Sequence, residues 1–347
     1  LVSDQKAPRE ERFLFRNIHP DLYMGTASDR YAGWIGQIYT AERYEGRITR
    51  RRKKLGGRSF IEEVLPVDSV REYFDHFRVL ELDYTFYSTL LDENGAPTKC
   101  RHVLESYARH LTEKDRIILK APQRMFARKL RQGASYVENS DYLDAELFTR
   151  RFFEPALALL GKSLAGVVFE QEYHRSGERV NPEQAARDLD GFFSAIPQDG
   201  RYHVELRTES YLTPRLFEVC ARHGIGQVLS HWTWLPTLRT QFAKSGKRFT
   251  NSGGSAVIRL MTPRGMRYED AYARAHPFNG IVEGMLQPQM VEEAAEVAQA
   301  AVCEGVRTHV IVNNRSGGNA PLIAKRIANR LRELLDPTNG ADGKNKT

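Results

Sequence analysis

Several short apolar segments of this sequence end in charged side chains, and these are the residues that could carry chemistry. Glu81 and Asp83 alternate with leucines in "VLELDYTF". Lys120 ends "RIILK", and Glu205 and Arg207 alternate with apolar residues in "YHVELR". Charged side chains are rarely buried on apolar strands unless they are paired or bind a ligand. The pattern therefore predicts either a layer of internal ion pairs or a polar active site.

The chemistry expected of these residues is acid–base catalysis on an anionic substrate. A carboxylate beside cations has its pKa set by them, as a general acid or base requires, and guanidinium groups match phosphate or carboxylate oxygens in pairs of hydrogen bonds. The predicted catalytic residues are Glu81, Lys120 and Glu205. The predicted substrate-binding residues are Asp83, Gln171, Arg207, Arg259, Asn313 and Asn314.

A glycine-rich turn follows the last apolar segment, in "VIVNNRSGGNAP". Gly317 and Gly318 would allow a phosphate to approach backbone N–H groups at the start of the following helix, so we predict them as phosphate-binding residues. The alternative is a well-capped turn, with Asn319 as the helix cap and Pro321 in the first turn.

These residues are positioned by short β-rich segments that alternate with longer stretches of helical periodicity. The predicted strands are residues 22–26, 79–86, 116–121, 165–171, 202–207, 227–231, 255–261 and 308–314. The predicted helices include residues 67–77, 98–112, 146–160, 182–195, 213–223 and 289–304. Eight such repeats predict a single (β/α)₈ barrel of parallel strands, whose carboxyl ends surround one mouth. An open doubly wound sheet is the alternative, but "GTASDRYAGW" after the first strand lacks the glycine fingerprint of a dinucleotide site.

The net charge of +7 is concentrated in one short run. Residues 43–58 contain eight Lys or Arg residues and one Glu, so the other residues balance. We expect this run to be an insertion into a barrel domain of residues 1–335, either as a solvated loop or linker or as a contact for nucleic acid. The residues that would make the contact are Arg50, Arg51, Arg52, Lys53 and Lys54. Residues 336–347 lack large apolar side chains and predict a disordered tail.

Composition and cysteine spacing also give expectations about the cellular compartment of the protein and about its cofactors. No apolar run approaches the roughly 20 residues of a membrane span, and the start lacks the pattern of a secretory signal. Cys100, Cys220 and Cys303 lie far apart, without the spacing of a zinc site, so we expect reduced thiols in a cytoplasmic protein. We expect no cofactor; the alternative is a divalent metal held by strand-end carboxylates and His231.

Seven motifs follow one another along the chain. They are "GTASDRYAGWIGQIYT", "VLELDYTFYSTL", "IILKAPQ", "GVVFEQ", "VELRTESY", "VIRLMT" and "VIVNNRSGGNAP". In this order they resemble the domain of unknown function 72 family, also called YecE-like, over residues 22–335. The matching positions are Gly25, Thr26, Trp34, Tyr39, Glu81, Thr85, Phe86, Tyr87, Lys120, Gln171, Glu205, Arg207, Ser210, Arg259, Asn313, Asn314 and Ala320.

The resemblance implies an eight-stranded barrel but no established reaction. The chain departs from the family pattern at Asp83, where Asn is usual, and at Thr208 and Tyr211, which stand in the places of His and Trp. Met261 and Thr262 replace a His-Gly pair. These departures indicate a divergent branch.

Three classes of function follow from the residues. The first is an enzyme acting on a small anionic, phosphorylated substrate at the barrel mouth, as a hydrolase, lyase or isomerase. The second is a nucleic-acid phosphodiesterase or repair-type protein, whose binding would weaken steeply with salt. The third is a sensor or adaptor that binds a small ligand without turnover.

Overall fold

Eight parallel strands close into a barrel, as predicted. The computed structural model describes residues 13–132 and 135–336. The barrel strands are β1 (Leu22–Ala27), β4 (Val79–Leu82), β5 (Arg116–Lys120), β8 (Leu164–Glu170), β9 (Tyr202–Glu205), β10 (Gly226–His231), β11 (Ser255–Leu260) and β12 (Arg307–Val312). Each strand pairs with its neighbour in the order β1-β12-β11-β10-β9-β8-β5-β4, and β4 pairs back to β1. The (β/α)₈ prediction is confirmed, and the open sheet is excluded.

Helices surround this barrel, with two short hairpins added outside it. The helices are α1 (Ala41–Tyr44), α2 (Val70–His76), α3 (Lys99–Ala108), α4 (Gln123–Phe126), α5 (Ala145–Phe148), α6 (Glu154–Leu160), α7 (Pro182–Ala195), α8 (Pro214–Arg222), α9 (Leu238–Lys244), α10 (Tyr268–Ala275), α11 (Pro288–Cys303) and α12 (Ala320–Leu335). The hairpin strands are β2 (Thr49–Leu55) with β3 (Arg58–Val64), and β6 (Lys129–Gln132) with β7 (Ser135–Glu138). In the part of the chain that the structure describes, no helix is both long enough and apolar enough to cross a membrane.

Local sequence explains why the helices begin where they do. In α7, the Asn181 side chain accepts a hydrogen bond from the Glu183 N–H, and Pro182 occupies the first turn, where its missing N–H costs nothing. Leu189 and Phe192 then lie on one face and are buried against the barrel. The start and end of this helix agree with the sequence prediction.

The period-two alternation of the strands produces the layers inside the barrel. One layer is apolar and includes Val79, Ile118, Val168, Val257 and Ile311. Two residues further towards the carboxyl end, the same strand faces carry polar side chains. These are Glu81, Lys120, Glu170, Glu205, Ser230, Arg259 and Asn313. The polar layer therefore caps an apolar core at the mouth of the barrel.

Several predicted strands end earlier than expected, and β4 and β9 are the two whose early ends move predicted site residues. β4 ends at Leu82, and residues 83–87 form a 3₁₀ helix, so Asp83 and Thr85 do not share a strand face with Glu81. The Thr85 hydroxyl donates to the Lys120 carbonyl at 2.7 Å and accepts from the Lys120 N–H at 3.1 Å. A side chain thus takes over the bonds that the strand backbone would have made. β9 ends at Glu205, and Arg207 lies in the loop beyond it.

The basic run at 43–58 is neither a loop nor a linker, so that expectation was wrong. It forms α1, strand β2 and the turn into β3. The antiparallel register places Arg50 opposite Glu63 and Arg51 opposite Glu62. Opposite charges across an antiparallel pair stabilise such a ribbon, and sequence periodicity alone did not reveal it. The predicted disordered tail lies outside the described residues, apart from Asp336, which follows α12 directly.

Candidate functional site

Six charged side chains meet at the carboxyl end of the barrel, and we call them the ionic cluster. They are Glu81, Lys120, Glu170, Glu205, Arg207 and Arg259. Arg259 reaches across the barrel to Glu81 through two hydrogen bonds, from Nε to Oε2 at 2.7 Å and from Nη2 to Oε1 at 2.8 Å. Its Nη1 donates to Glu205 Oε2 and lies 3.4 Å from Glu170 Oε2. One buried guanidinium therefore joins three carboxylates.

Glu170 is the second junction of the ionic cluster, although it was not among the predicted site residues. Its Oε2 lies 2.5 Å from Lys120 Nζ, and its Oε1 lies 2.8 Å from Arg207 Nη1. Burial by itself raises the pKa of the Glu170 carboxyl, but Arg207, Lys120 and Arg259 together hold this pKa well below its usual range. Strand alternation from Val168 would have identified Glu170 as inward-facing.

The ionic cluster is neutral as a whole, because three carboxylates face three cations. Glu81 and Glu205 are 0% exposed and Arg259 is 2% exposed, whereas 16% of the Arg207 side chain is exposed. Burial disfavours the charged guanidinium of Arg259, but the charges of Glu205, Glu81 and Glu170 outweigh burial and raise its pKa. The layer of internal ion pairs, one of the two alternatives predicted from the sequence, is therefore present. Its hydrogen bonds do not involve every polar atom of the cluster.

Unpartnered atoms remain on one side of the cluster. Glu205 Oε1, Arg207 Nε and Ser230 Oγ are buried without a hydrogen-bond partner. Glu205 and Arg207 are in contact, since Arg207 Nη2 lies 3.4 Å from Glu205 Oε2. A carboxylate acceptor and a guanidinium donor that lie close together therefore both lack a hydrogen-bond partner.

Aromatic rings border the ionic cluster on its outer side. Lys120 Nζ lies 3.8 Å from the centre of the Phe86 ring, and the Arg207 guanidinium lies 4.8 Å from the Trp232 ring. Tyr173 packs against Trp232 at 5.7 Å and against Trp234 at 5.8 Å. These rings reduce water around the cations and leave Arg207 as the most exposed member of the cluster.

The predicted amide residues serve the backbone around the site. Gln171 Oε1 accepts from the N–H groups of Arg207 and Thr208, at 3.0 and 3.2 Å. Asn313 Oδ1 accepts from the Arg315 N–H at 3.0 Å. Asn314 Oδ1 accepts from Trp34 Nε1 at 3.1 Å and from the Ala320 N–H at 2.8 Å. Gln171 fixes the loop that carries Arg207, and the two asparagines fix the loop after β12.

Asp83 does not join the ionic cluster. It lies in the 3₁₀ helix after β4, where its Oδ1 accepts from the Ser28 hydroxyl at 2.9 Å. It lines a separate cavity between the barrel and the β2–β3 hairpin. The inward strand position assumed for Asp83 was wrong, because β4 has already ended.

The glycine-rich turn is closely packed rather than open. The N–H groups of Gly317 and Gly318 both donate to the Asn314 carbonyl, at 3.2 and 2.6 Å, and the Gly317 carbonyl accepts from Val282. A Cβ at Gly318 would lie 2.3 Å from the Gly280 carbonyl oxygen, and its φ is +113°. Asn319 caps α12 by accepting from the Leu322 N–H. These contacts match the capped turn and leave neither glycine N–H free for a phosphate.

Most of the charge on β2 is paired within the hairpin. Arg50 lies 2.8 Å from Glu63, while Arg51 and Lys53 lie 2.7 and 3.0 Å from Glu62. Among the described residues, Arg52 and Lys54 have no ion pair. The nucleic-acid contact predicted for residues 50–54 stays a prediction, with only these two charges unpaired.

The metal alternative also stays a prediction. Within residues 13–132 and 135–336, no group of three or more His, Cys, Asp or Glu side chains is arranged to hold a metal ion. His231 Nδ1 lies 2.9 Å from the Thr262 carbonyl oxygen, and burial lowers the pKa of His231 to about 4. It is therefore a neutral, hydrogen-bonded residue beside Trp232.

Comparisons with known proteins agree with this fold. A family model described as "Protein of unknown function DUF72" matches residues 23–344. A DUF72 family protein from Enterococcus faecalis is 16% identical, with 89% of this chain and 97% of that chain covered and a TM-score of 0.52. A DUF72 family protein from Thermotoga maritima is 14% identical, with 90% and 98% covered and a TM-score of 0.49.

At these identities the structural likeness concerns the fold alone. A search of curated proteins found no significant match. The family model spans nearly all of the barrel, and it includes every member of the ionic cluster. The resemblance noted from the seven motifs is confirmed: the chain belongs to the DUF72 family of proteins of unknown function.

Proposed function

We propose that this protein is an enzyme that acts on a small anionic organic substrate at the mouth of the barrel. One observation supports this most strongly. In an otherwise neutralised cluster, Glu205 and Arg207 touch each other and each keeps a buried atom without a partner. The first is a proton acceptor and the second a hydrogen-bond donor. Buried polar groups without partners are rare in proteins, and they are typical of sites that bind a further molecule.

Arg207 and Lys120 are the groups proposed to hold the anion. Arg207 has a free Nε–H, and among the described residues Lys120 Nζ contacts one carboxylate oxygen, although an ammonium carries three donors. Both cations also form an ion pair with Glu170, which holds them close to each other. A phosphate ester or a carboxylate would complete their hydrogen bonds.

Glu205 is the proposed general base or acid. Arg259 and Arg207 hold its Oε2, so its Oε1 is the atom left to exchange a proton with the substrate. Proton transfer of this kind is a step of isomerase, lyase and hydrolase reactions, which all remain open. Glu81 is proposed to hold Arg259 in place rather than to touch the substrate.

The test starts with thermal-shift screening of phosphate esters and carboxylic acids, followed by mass spectrometry of each stabilising compound for turnover. Arg207→Gln should raise the Kd of a hit by about tenfold or more, because a charged hydrogen bond is lost. Glu205→Gln should bind the hit and lose turnover. Arg222→Gln, an exposed arginine paired with Asp190, is the matched control and should change neither.

Two results would contradict this proposal. If Arg207→Gln binds every hit as tightly as the wild type, the anion is held elsewhere. If hits bind at the mouth and none is turned over by the wild type, the ligand-binding sensor is the better description.

A further inference from the structure

A cavity lies at the mouth of the barrel and is lined by none of the six residues of the ionic cluster. It has a volume of about 810 Å³ and lies between the β2–β3 hairpin, the segment after β1, and the 3₁₀ helix after β4. Cavities of roughly 300–1,000 Å³ accommodate small organic ligands. Its walls are rich in tyrosine. The lining tyrosines are Tyr31, Tyr84, Tyr87, Tyr107, Tyr268 and Tyr272.

Asp29 is a buried carboxyl group in the lining of this cavity. It is 1% exposed, and its Oδ1 accepts from the Tyr107 hydroxyl at 2.8 Å. Its Oδ2 is buried and has no hydrogen-bond partner. Burial raises the pKa of Asp29 to about 6, and the Tyr107 hydrogen bond and the charge of Arg30 offset burial only in part. Arg30 directs its Nε to the Leu65 carbonyl instead, at 2.5 Å.

Tyr84, which also lines the cavity and interacts electrostatically with Asp29, provides a second unsatisfied polar group. Its hydroxyl is buried without a partner, and its ring stacks on Tyr107 with centres 6.2 Å apart. Tyr107 thus joins the two groups, since its hydroxyl bonds Asp29 and its ring packs on Tyr84. Asp83 lines the same end of the cavity. The surroundings of Asp29 therefore combine carboxyl groups, aromatic faces and polar atoms without partners, with Arg30 as the neighbouring cation.

A protonated amine meets all three of these conditions. An ammonium group has three donors and no acceptor, and it carries the positive charge that the buried carboxylate lacks. Aromatic faces attract such a cation further. A neutral hydroxyl would complete hydrogen bonds but would leave the buried charge uncompensated.

We infer that the cavity is a binding site for an organic primary amine, whose ammonium donates to Asp29 Oδ2 and Tyr84 Oη. The remainder of the ligand lies along the tyrosine wall. At another part of the wall Arg315 stands over Tyr268 at 4.2 Å with an unpartnered Nε, so an acidic group on the ligand is accommodated there. This site does not depend on the function proposed for the ionic cluster.

The experiment compares two molecules of nearly the same shape. Binding of 2-phenylethylamine and of 2-phenylethanol to the full chain is measured by isothermal titration calorimetry at pH 7.5. The amine should bind and the alcohol should bind at least about tenfold more weakly. Asp29→Asn should weaken amine binding by about tenfold or more, and Asp270→Asn, an exposed carboxylate on α10 outside the cavity, should not.

Tyr84→Phe is the second variant, because it removes an unpartnered hydroxyl and keeps the ring, so that folding is preserved. It should weaken amine binding several-fold. Arg207→Gln should leave amine binding unchanged, which separates this site from the one proposed at the ionic cluster. Equal affinity for amine and alcohol, or amine binding unaffected by both Asp29→Asn and Tyr84→Phe, would overturn the inference.

The affinity for the amine should also rise about tenfold between pH 5 and pH 7.5, because Asp29 loses its proton in this range. Asp29→Asn should remove this rise. The other charged or titratable groups that face Asp29 are Arg30, Tyr39, Tyr73, Asp83, Tyr84 and Tyr107. A rise that persists in Asp29→Asn would contradict the assignment of the carboxylate.

Discussion

Arg259→Met tests whether water is excluded from the ionic cluster, as the burial of its side chains indicates. Arg259 provides both hydrogen bonds of Glu81, whose carboxylate has no other partner among the described residues. Met keeps much of the side-chain length and removes the charge. Glu81, at 0% exposure, then becomes a buried carboxylate without a counter-ion.

The expected cost is about 3–5 kcal/mol of unfolding free energy at pH 8, which is typical of breaking a buried ion pair from one side. The same bidentate geometry occurs in Arg330 with Glu292, at 2.7 and 2.6 Å, where the two side chains are 34% and 38% exposed. Arg330→Met is therefore the matched control and should cost less than about 1 kcal/mol.

The pH dependence of the unfolding free energy gives a second check, because different carboxyl groups determine it in the wild type and in Arg259→Met. In Arg259→Met, the cost of the unpaired buried charge is present at high pH, where Glu81 is ionised, and disappears when the carboxyl takes up a proton. In the wild type, the cations around Glu170 hold its pKa well below its usual range, although burial opposes them. That stability is present above the ordinary Glu pKa, and therefore at both pH 8 and pH 5, and is lost only at lower pH. The gap between wild type and variant should thus narrow on acidification.

Urea unfolding followed by tryptophan fluorescence at pH 8 and pH 5 measures this gap. Arg259→Met combined with Glu81→Gln should recover part of the loss, because no charge is then left unpaired at Glu81. A loss below about 1 kcal/mol at pH 8, or a loss that is the same at both pH values, would show that water reaches the cluster.

Three further predictions concern other parts of the chain. His309 is 1% exposed, both of its ring nitrogens lack a hydrogen-bond partner, and burial lowers its pKa to about 3. The stability of the wild type should therefore fall as the pH drops from about 6.5 to 3. His309→Phe should raise the unfolding free energy by about 2 kcal/mol at pH 5 and change it little at pH 8. Glu62→Gln should speed tryptic cleavage of β2 several-fold, because Glu62 binds Arg51, Lys53 and the Tyr272 hydroxyl, whereas Glu63→Gln on the exposed face should not. Gly318→Ala should lower the unfolding free energy by at least about 2 kcal/mol, because a Cβ would lie 2.3 Å from the Gly280 carbonyl oxygen. Gly265→Ala, with open space around the Cβ, is the control and should lower it by about 1 kcal/mol. Thermal and urea unfolding measure both changes.

The candidate site could be predicted in part because its members sit on strands. Glu205 and Arg259 were identified from strand alternation and Lys120 from its position at the end of a strand, and all three meet in the ionic cluster. Glu170 was overlooked among site residues although the same alternation turns it inward. Asp83 was misplaced because Thr85 bonds to the backbone of Lys120, a contact between residues 35 positions apart that no local pattern encodes.

The sequence by itself determined the eight strands, their order and the face that each presents to the barrel interior. These properties follow from period-two and helical periodicity, which are local and are read within a few residues. The tertiary structure decided which charges pair. Arg259 bonds to Glu81 across 178 positions of sequence, and this contact exists only once the barrel is closed. The same holds for the buried Asp29, whose cavity forms where the hairpin folds back over the barrel mouth.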